Sequence, residues 1–116
     1  YPNGMSDTIT NLEYSIEGEH DENSHLYPMF ANIAREEGFD SVAACFEAIV
    51  EAEKGHEKRY RILKENLENG KVFKRDAQIL WKCRKCGYIS YGSDAPYACP
   101  ACLHPRAYFE ICNQNY

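Results

Sequence analysis

The chain has 116 residues, a formal net charge of −5 and a mean hydropathy of −0.61. Its length suits one domain or two small modules. No apolar run approaches the roughly 18–20 residues that span a bilayer, so composition argues against a membrane protein. The acidic first half argues against nucleic acid as a partner, because it would repel phosphates.

Charge is distributed unevenly along the chain. Residues 1–70 hold fifteen acidic residues against six Lys or Arg, whereas residues 71–116 hold three against seven. Opposite signs suit docking of one half onto the other half of a neighbouring molecule. Two ordinary solvated surfaces would give the same counts, so charge alone leaves both interpretations open.

The chain starts with Tyr1-Pro2-Asn3-Gly4, a composition typical of a turn, and not with methionine. We therefore expect it to be a processed piece or part of a longer product.

A first helix is predicted from residue 10 to residue 37. Thr10 and Glu13 fit a capping box, in which each side chain satisfies a free backbone N–H of the first turn. Pro28 is expected to kink the helix, because it lacks an N–H and its ring crowds the preceding turn.

A second helix follows after a tight connection. Gly38 can end the first helix in a left-handed conformation, and Asp40 can cap the next. That helix is predicted to run through Leu67 towards Gly70. Residues 10–70 are therefore predicted to form a helical hairpin.

Both helices carry a stripe whose members recur at alternating steps of three and four residues, which predicts a face directed at a core. Charged residues interrupt both stripes and cost several kcal/mol there unless they are paired. The first stripe is Leu12, Ser15, Glu19, Glu22, Leu26, Met29 and Ile33, and the second is Val42, Phe46, Ile49, Glu53, His56, Tyr60, Leu63 and Leu67.

Four polar stripe residues are predicted to lie at one level of the hairpin. The pairs Glu19/His56 and Glu22/Glu53 are both centred between residues 37 and 38, so each pair is equidistant from the connection. Three carboxylates and an imidazole would repel and desolvate one another unless cations held them. Iron or manganese suits such an oxygen-rich set with one nitrogen. A lone Glu-x-x-His pair is usually a solvated surface pair, and its position within the stripe opposes that alternative.

The second half is organised around two Cys-x-x-Cys motifs. Cys83 and Cys86 are separated by residues 87–98 from Cys99 and Cys102. Four thiolates in this pattern suit a tetrahedral Fe or Zn site. Zinc ribbons use the same spacing, so the residues alone leave iron and zinc open. Two disulfides in a small secreted domain are the alternative that this spacing opposes.

Residues 79–110 resemble a rubredoxin in four features: Cys-x-x-Cys-Gly-Tyr, Ala95-Pro96, Cys-Pro-x-Cys, and the aromatic pair that follows at residues 108 and 109. The resemblance implies one iron ion in a cage of four thiolates, acting as an electron carrier. It favours iron over zinc.

The whole chain resembles the C-terminal half of a rubrerythrin. The segments that carry the likeness are Gly18-Glu19-His20-Asp21-Glu22, Leu26-Tyr27-Pro28-Met29-Phe30, Ala34-Arg35-Glu36-Glu37-Gly38-Phe39, Ala52-Glu53-Lys54-Gly55-His56-Glu57, and Gly70-Lys71-Val72-Phe73-Lys74-Arg75 before the cysteines. The resemblance implies half of a ferritin-like four-helix bundle over residues 1–70, a linker over 71–78 and a rubredoxin-like domain over 79–116.

This resemblance also implies roles for individual residues. Glu53 and His56 would be ligands of a di-iron site, in which another divalent metal is possible. Glu19 would be a bridging ligand, and Glu22 a ligand whose engagement depends on oxidation state. Tyr27 matches a tyrosine that hydrogen-bonds near the site. The first helix pair of the family, with two more glutamates and a histidine, is absent.

The implied function is that of a non-haem iron peroxidase, which reduces hydrogen peroxide to water and receives electrons through the thiolate-bound iron. A flavin reductase or a small rubredoxin would supply the electrons. The missing helices could be a cleaved segment that stays bound, a second gene product, or a second copy in a homodimer. We favour cleavage, because interhelical loops are where proteases cut.

Two alternatives belong to other classes of protein. One is a ferritin-like ferroxidase that handles iron, and the other is a zinc-ribbon interaction module with an inactive bundle half. Of the remaining cysteines, Cys45 is expected in the helical core and Cys112 has no assigned role. Because both need burial or a reducing compartment, we expect the protein in the cytoplasm.

Overall fold

A computed structural model describes residues 5–116, so the turn predicted at residues 1–4 lies outside the described part of the chain. The chain divides into two compact units, Tyr1–Glu68 and Asn69–Tyr116. Each unit contains one cluster of side chains that could bind a metal ion.

The first unit is a helical hairpin. Helix α1 (Thr8–Asp21) leads through a π-helical turn (Glu22–Leu26) into helix α2 (Tyr27–Glu36), and helix α3 (Asp40–Glu68) returns along all three. The predicted hairpin is therefore confirmed, with α3 as its continuous arm.

The start of α1 differs from the prediction. Asp7 is the N-cap: its Oδ1 accepts a hydrogen bond from the Thr10 N–H at 2.8 Å, and its Oδ2 accepts one from the Thr10 hydroxyl at 3.1 Å. The capping box built on Thr10 and Glu13 is wrong, because Asp7 caps an additional turn before it. Glu13 instead pairs with Lys64 of α3 at 3.1 Å.

The irregularity predicted at Pro28 lies about one turn earlier. The residues before Pro28 form the π turn, in which the Tyr27 N–H bonds to the Glu22 carbonyl five residues back. A proline ring crowds the carbonyl four residues before it, and a widened turn relieves that crowding. The extra residue in this turn changes the rotational register between α1 and α2.

The connection between the arms is tight, as predicted. Gly38 has φ of 82°, and the N–H of Phe39 bonds back to the Ala34 carbonyl at 2.8 Å. The prediction that Asp40 caps α3 is wrong by one residue: Asp40 is already helical, and the Phe39 carbonyl accepts the first bond, from Ala43, at 2.9 Å.

Small and aromatic side chains hold the arms together near the connection. Ala43 is fully buried, and Phe46 packs against the rings of Tyr27 and Phe30 with centroids 6.0 and 5.5 Å away. The prediction that Cys45 is buried is wrong, because its side chain is exposed. Cys45 follows Ala43 by two residues, which places it about 200° around the helix, on the side of α3 that faces away from the packed face.

The second unit is built on a three-stranded antiparallel sheet with strand order β2-β1-β3. The strands are β1 (Lys74–Cys83), β2 (Ile89–Asp94) and β3 (Phe109–Ile111), with a 3-10 turn at Arg106–Tyr108. Strand β1 thus begins within residues 71–78, the predicted linker. Trp81 and Phe109 form the core with Ala95 and the cysteines Cys83 and Cys99.

Candidate metal centres

The four cysteines of the two Cys-x-x-Cys motifs converge in the second unit. Cys83 ends β1, and the Sγ atoms of Cys83 and Cys102 are 3.7 Å apart, while those of Cys86 and Cys99 are 3.5 Å apart. Sulfurs about 2.3 Å from a central ion would lie about 3.8 Å from one another, whereas a disulfide needs about 2.05 Å. All four are free cysteines. The spacing therefore fits a tetrathiolate metal site and opposes two disulfides.

Backbone N–H groups are directed at all four sulfurs. Each sulfur accepts from amides in the turn that follows its own cysteine: Lys85 and Cys86 donate to Cys83, Tyr88 to Cys86, Ala101 and Cys102 to Cys99, and His104 to Cys102. Such donors stabilise thiolates, which are the form that binds a metal ion. Gly87 has φ of 84°, which allows the first turn to close.

The four thiols differ in acidity without a metal ion. Burial raises the pKa of Cys99, but the donated N–H groups outweigh burial and bring its pKa down to about 7. The N–H of His104 lowers the pKa of Cys102, whereas burial and the other three sulfurs outweigh it and raise that pKa to about 12. Four thiolates this close repel one another, so a bound cation would be needed to keep all of them deprotonated.

A second cluster lies on the inner face of the hairpin. The imidazole Nδ1 of His56 is 2.8 Å from Glu53 Oε2 and 3.5 Å from Oε1 of Glu19 on α1. One ligand atom from each of these three side chains lies within 4.8 Å of the other two. Three of the four polar residues predicted at one level are therefore brought together.

Glu19 has the largest pKa shift in this cluster. Burial, and then the adjacent Glu53 carboxylate, raise the pKa of Glu19 to about 7. The pKa of Glu53 is lowered, first by its hydrogen bond with Glu19 and then by that with His56. Glu19 Oε2 is buried without a hydrogen-bond partner. An oxygen in this state is available to a cation, so the donor set fits a hard or borderline divalent metal ion.

Glu22 and Tyr27 stand outside this group of three. Glu22 begins the π turn and, together with Glu19 and Tyr60, lines a cavity of about 490 Å³ beside the cluster. Tyr27 packs in the aromatic group with Phe30 and Phe46. Their assignment as a ligand and as a tyrosine near the site remains a prediction.

A polar network beside the cluster was not identified from sequence. Glu57, the residue after His56, accepts hydrogen bonds from Asn23 at 3.0 Å and Arg61 at 2.7 Å, and lies 3.0 Å from the His20 ring. Asn23 first, then Arg61, lower the pKa of Glu57 to about 2. The sequence could have indicated this network, because Glu57 follows Glu53 by four residues and so lies on the same side of α3.

Within residues 5–116, no helix is both long enough and apolar enough to cross a bilayer.

Two family models match the chain. The rubrerythrin model matches residues 2–64, and the model of the rubrerythrin rubredoxin-like domain matches residues 81–110. The first covers the helical cluster, and the second covers all four cysteines.

Similar proteins carry the same family name. The chain is 56% identical to a rubrerythrin of Clostridium perfringens, over 96% of this chain and 57% of that protein. It is 53% identical to rubrerythrin-1 of Clostridium acetobutylicum, over 100% of this chain and 60% of that protein. The chain thus spans about three fifths of the length of these curated relatives.

A solved structure supports the fold. The fully reduced, all-ferrous state of nigerythrin superposes with a TM-score of 0.55 at 28% identity, over 97% of this chain and 52% of that one. Taken with the family models, the converging cysteines and the helical carboxylate cluster, these matches establish that the chain belongs to the rubrerythrin family.

Proposed function

We propose that this chain is the part of a rubrerythrin-type peroxidase that supplies half of a di-iron carboxylate site together with its thiolate-bound iron. The observation that carries the proposal is the pairing, in one chain, of a Glu19–Glu53–His56 cluster with four converging cysteine sulfurs. A structural zinc module would need only the cysteines, so the polar cluster within the hairpin favours a redox enzyme.

The two proposed metal sites would divide the chemistry. When bound, a pair of iron ions supplies the two electrons that reduce the O–O bond of hydrogen peroxide to water, and the single thiolate-bound iron returns electrons one at a time. The carboxylates of Glu19, Glu22 and Glu53 would neutralise the cations, and His56 would add a nitrogen ligand. Glu22, which lines the same cavity as Glu19, would bind or withdraw as the oxidation state changes.

The residues of the second unit would prepare the cysteines for their metal ion. The N–H donors spread the negative charge of the thiolates, which favours electron uptake by the centre. Trp81 packs with Cys83 and Cys99, and all three are buried, which would keep water from these two sulfurs. Cys86 is exposed, so at this cysteine the site would be open to an electron donor, such as a rubredoxin or a flavin reductase.

The bundle site needs further helices. Apolar side chains on the hairpin are exposed in this chain, among them Ile33 at 43%, Val42 at 45% and Leu63 at 51%. We propose that they pack against the N-terminal bundle half of the same protein or, without it, against a second copy of this hairpin. Either completion would add carboxylates to the cluster.

Peroxide consumption with a rubredoxin and its reductase as electron source tests this function. Glu53→Ala is expected to abolish turnover while the thiolate centre still accepts electrons. Cys86→Ser is expected to leave metal at the bundle site but to block its reduction. Turnover unchanged by Glu53→Ala would contradict the proposal.

The same assay distinguishes a peroxidase from a ferroxidase that handles iron. A ferroxidase would oxidise free Fe(II) with oxygen and would not depend on Cys86. Equal turnover by wild type and Cys86→Ser, with rapid oxidation of free Fe(II), would favour that alternative. A colourless protein with zinc at the cysteines would favour the interaction module instead, since ferric tetrathiolate centres are red.

A further inference from the structure

The π turn at residues 22–26 is tied to α3 by a buried amide. Asn23 is 7% exposed and is the one buried polar residue among the described residues. Its Nδ2 donates to Glu57 Oε1 at 3.0 Å, and its Oδ1 accepts from the Ser24 hydroxyl at 3.0 Å. Because both ends of the amide are used, the side chain is held in one orientation.

Glu57 extends this connection to the neighbouring turns. Its side chain is only 16% exposed; Oε1 lies 3.0 Å from His20 Nδ1, and Oε2 accepts from Arg61 at 2.7 Å. One carboxylate thus joins α1, the π turn and the next turn of α3. His20 and Arg61 are both 56% exposed and can bond to water, whereas removal of the Glu57 carboxylate would leave the buried Asn23 amide without its acceptor.

The network lies directly beside the proposed ligands. Asn23 follows Glu22, and Glu57 follows His56, so the hydrogen bond between them joins the two backbones one residue away from each ligand. If the π turn relaxed to an α-helical turn, the register between α1 and α2 would shift by one residue, which is a rotation of about 100°. Because Glu19 and Glu22 both precede the extra residue of the turn, they would rotate together relative to α2 and α3, out of register with Glu53 and His56.

We propose that Asn23 and Glu57 form a positioning clamp, which keeps the π turn in register with α3 and so holds Glu22 and His56 at the bundle metal site. The clamp rests on the proposed function, because its purpose is to orient ligands of that site. Neither residue contacts the metal in this proposal; both act through the backbone next to a ligand.

Three variants and one control test the clamp. Asn23→Ala removes the donor, and Asn23→Asp places a second carboxylate against Glu57. The double variant Asn23→Asp with Glu57→Gln exchanges the two groups, so that a hydrogen bond of reversed direction is restored at the same total charge. The control, Glu47→Gln, weakens the two-pronged Arg35–Glu47 ion pair of 2.8 and 2.9 Å at the far end of the hairpin.

The measurements use the full chain with one equivalent of Zn²⁺ at the cysteines. Mn²⁺, which prefers oxygen ligands, is then titrated, and free Mn²⁺ is measured by electron paramagnetic resonance. We expect Asn23→Ala and Asn23→Asp to weaken Mn²⁺ binding by about tenfold or more, the usual effect of losing a partner next to a ligand. The exchanged pair should recover most of the affinity, and Glu47→Gln should bind as wild type does.

A second measurement needs no metal ion. In the metal-free chain, the Tyr27 amide, whose bond to Glu22 closes the π turn, should exchange with deuterium faster in Asn23→Ala than in Glu47→Gln. Wild-type Mn²⁺ affinity and wild-type Tyr27 exchange in Asn23→Ala would overturn the clamp, as would an exchanged pair that binds no better than Asn23→Asp. A wild-type chain that binds no Mn²⁺, or binds it equally well after Glu53→Ala, would instead overturn the proposed site.

Discussion

Glu19 presents a buried oxygen, Oε2, that has no hydrogen-bond partner, next to a second carboxylate. Its pKa is raised from 4.5 to about 7, so below about pH 7 the metal-free hairpin favours the protonated form. A carboxyl group whose folded pKa lies above its unfolded pKa stabilises the fold at low pH, and that contribution is lost as the pH rises through the folded value. Metal-free stability should therefore fall as the pH rises from about 4.5, the unfolded value, to about 7, the folded value, and should level off above it.

The variant Glu19→Gln tests this account of a single residue. At pH 8 it removes a buried charge, so we expect the metal-free chain to gain on the order of 1–2 kcal/mol in free energy of unfolding, and the loss of stability between pH 4.5 and pH 8 to become smaller. Urea denaturation at pH 4.5 and pH 8 measures both effects. Glu17→Gln, at an exposed position on α1, is the matched control. Equal pH dependence in wild type and Glu19→Gln would contradict the account.

The same variant should bind metal less well. Glutamine keeps the size of Glu19 but lacks the negative charge that a cation needs. A gain in metal-free stability together with a loss of Mn²⁺ affinity would identify Glu19 as a residue kept for binding at the expense of folding. A variant that loses stability and keeps its affinity would identify it as structural.

At the scale of the element, Asp7 caps α1 through the Thr10 N–H. That bond lowers the pKa of Asp7, so its contribution is present at neutral pH and is lost as the pH falls through the folded pKa. We expect Asp7→Ala to lower the melting temperature at pH 7, whereas Asp7→Asn keeps an acceptor and lowers it less. At pH 2 the difference between wild type and Asp7→Asn should nearly vanish, and a difference that persists there would contradict this assignment.

Replacing two glycines of the hairpin by alanine should change its stability in opposite directions. Gly38 has φ of 82° and open space around it, so Gly38→Ala adds only backbone strain and should destabilise the hairpin by about 1 kcal/mol. Gly55 lies inside α3, also with open space, so Gly55→Ala should stabilise it by up to about 1 kcal/mol. Thermal denaturation of both variants measures the difference. A stabilising Gly38→Ala would show that the connection does not need the left-handed conformation.

The sequence predicts these elements unevenly. The hairpin, its connection at Gly38 and the convergence of the four cysteines follow from periodicity, a turn residue and motif spacing, which are local signals. The π turn could not be predicted, because an extra residue in a helix leaves no compositional mark apart from the nearby Pro28. The hydrogen bond between Asn23 and Glu57 depends on that turn, so it could not be predicted either. The predicted burial of Cys45 was wrong because burial depends on which face of α3 packs against the other helices.

For the whole molecule, the exposed apolar side chains of the hairpin predict association. If the chain is prepared alone, we expect it to form at least a dimer by sedimentation, since these faces otherwise remain in water. Leu63→Glu should shift the dimer towards monomer. Ala44→Glu adds the same charge at another exposed position of α3 and should not. A chain that stays monomeric at high concentration would leave the N-terminal bundle half as the partner that completes the site.

We propose that one chain provides ligands for two chemically different iron sites. Mössbauer spectroscopy of ⁵⁷Fe-loaded chain, with iron quantified per chain, tests it most directly. We predict two components in the wild type, one with the parameters of a high-spin iron tetrathiolate and one with oxygen and nitrogen ligands, and loss of the second component alone in Glu53→Ala. A Glu53→Ala spectrum with both components intact, or a wild-type spectrum with the tetrathiolate component alone, would contradict the claim.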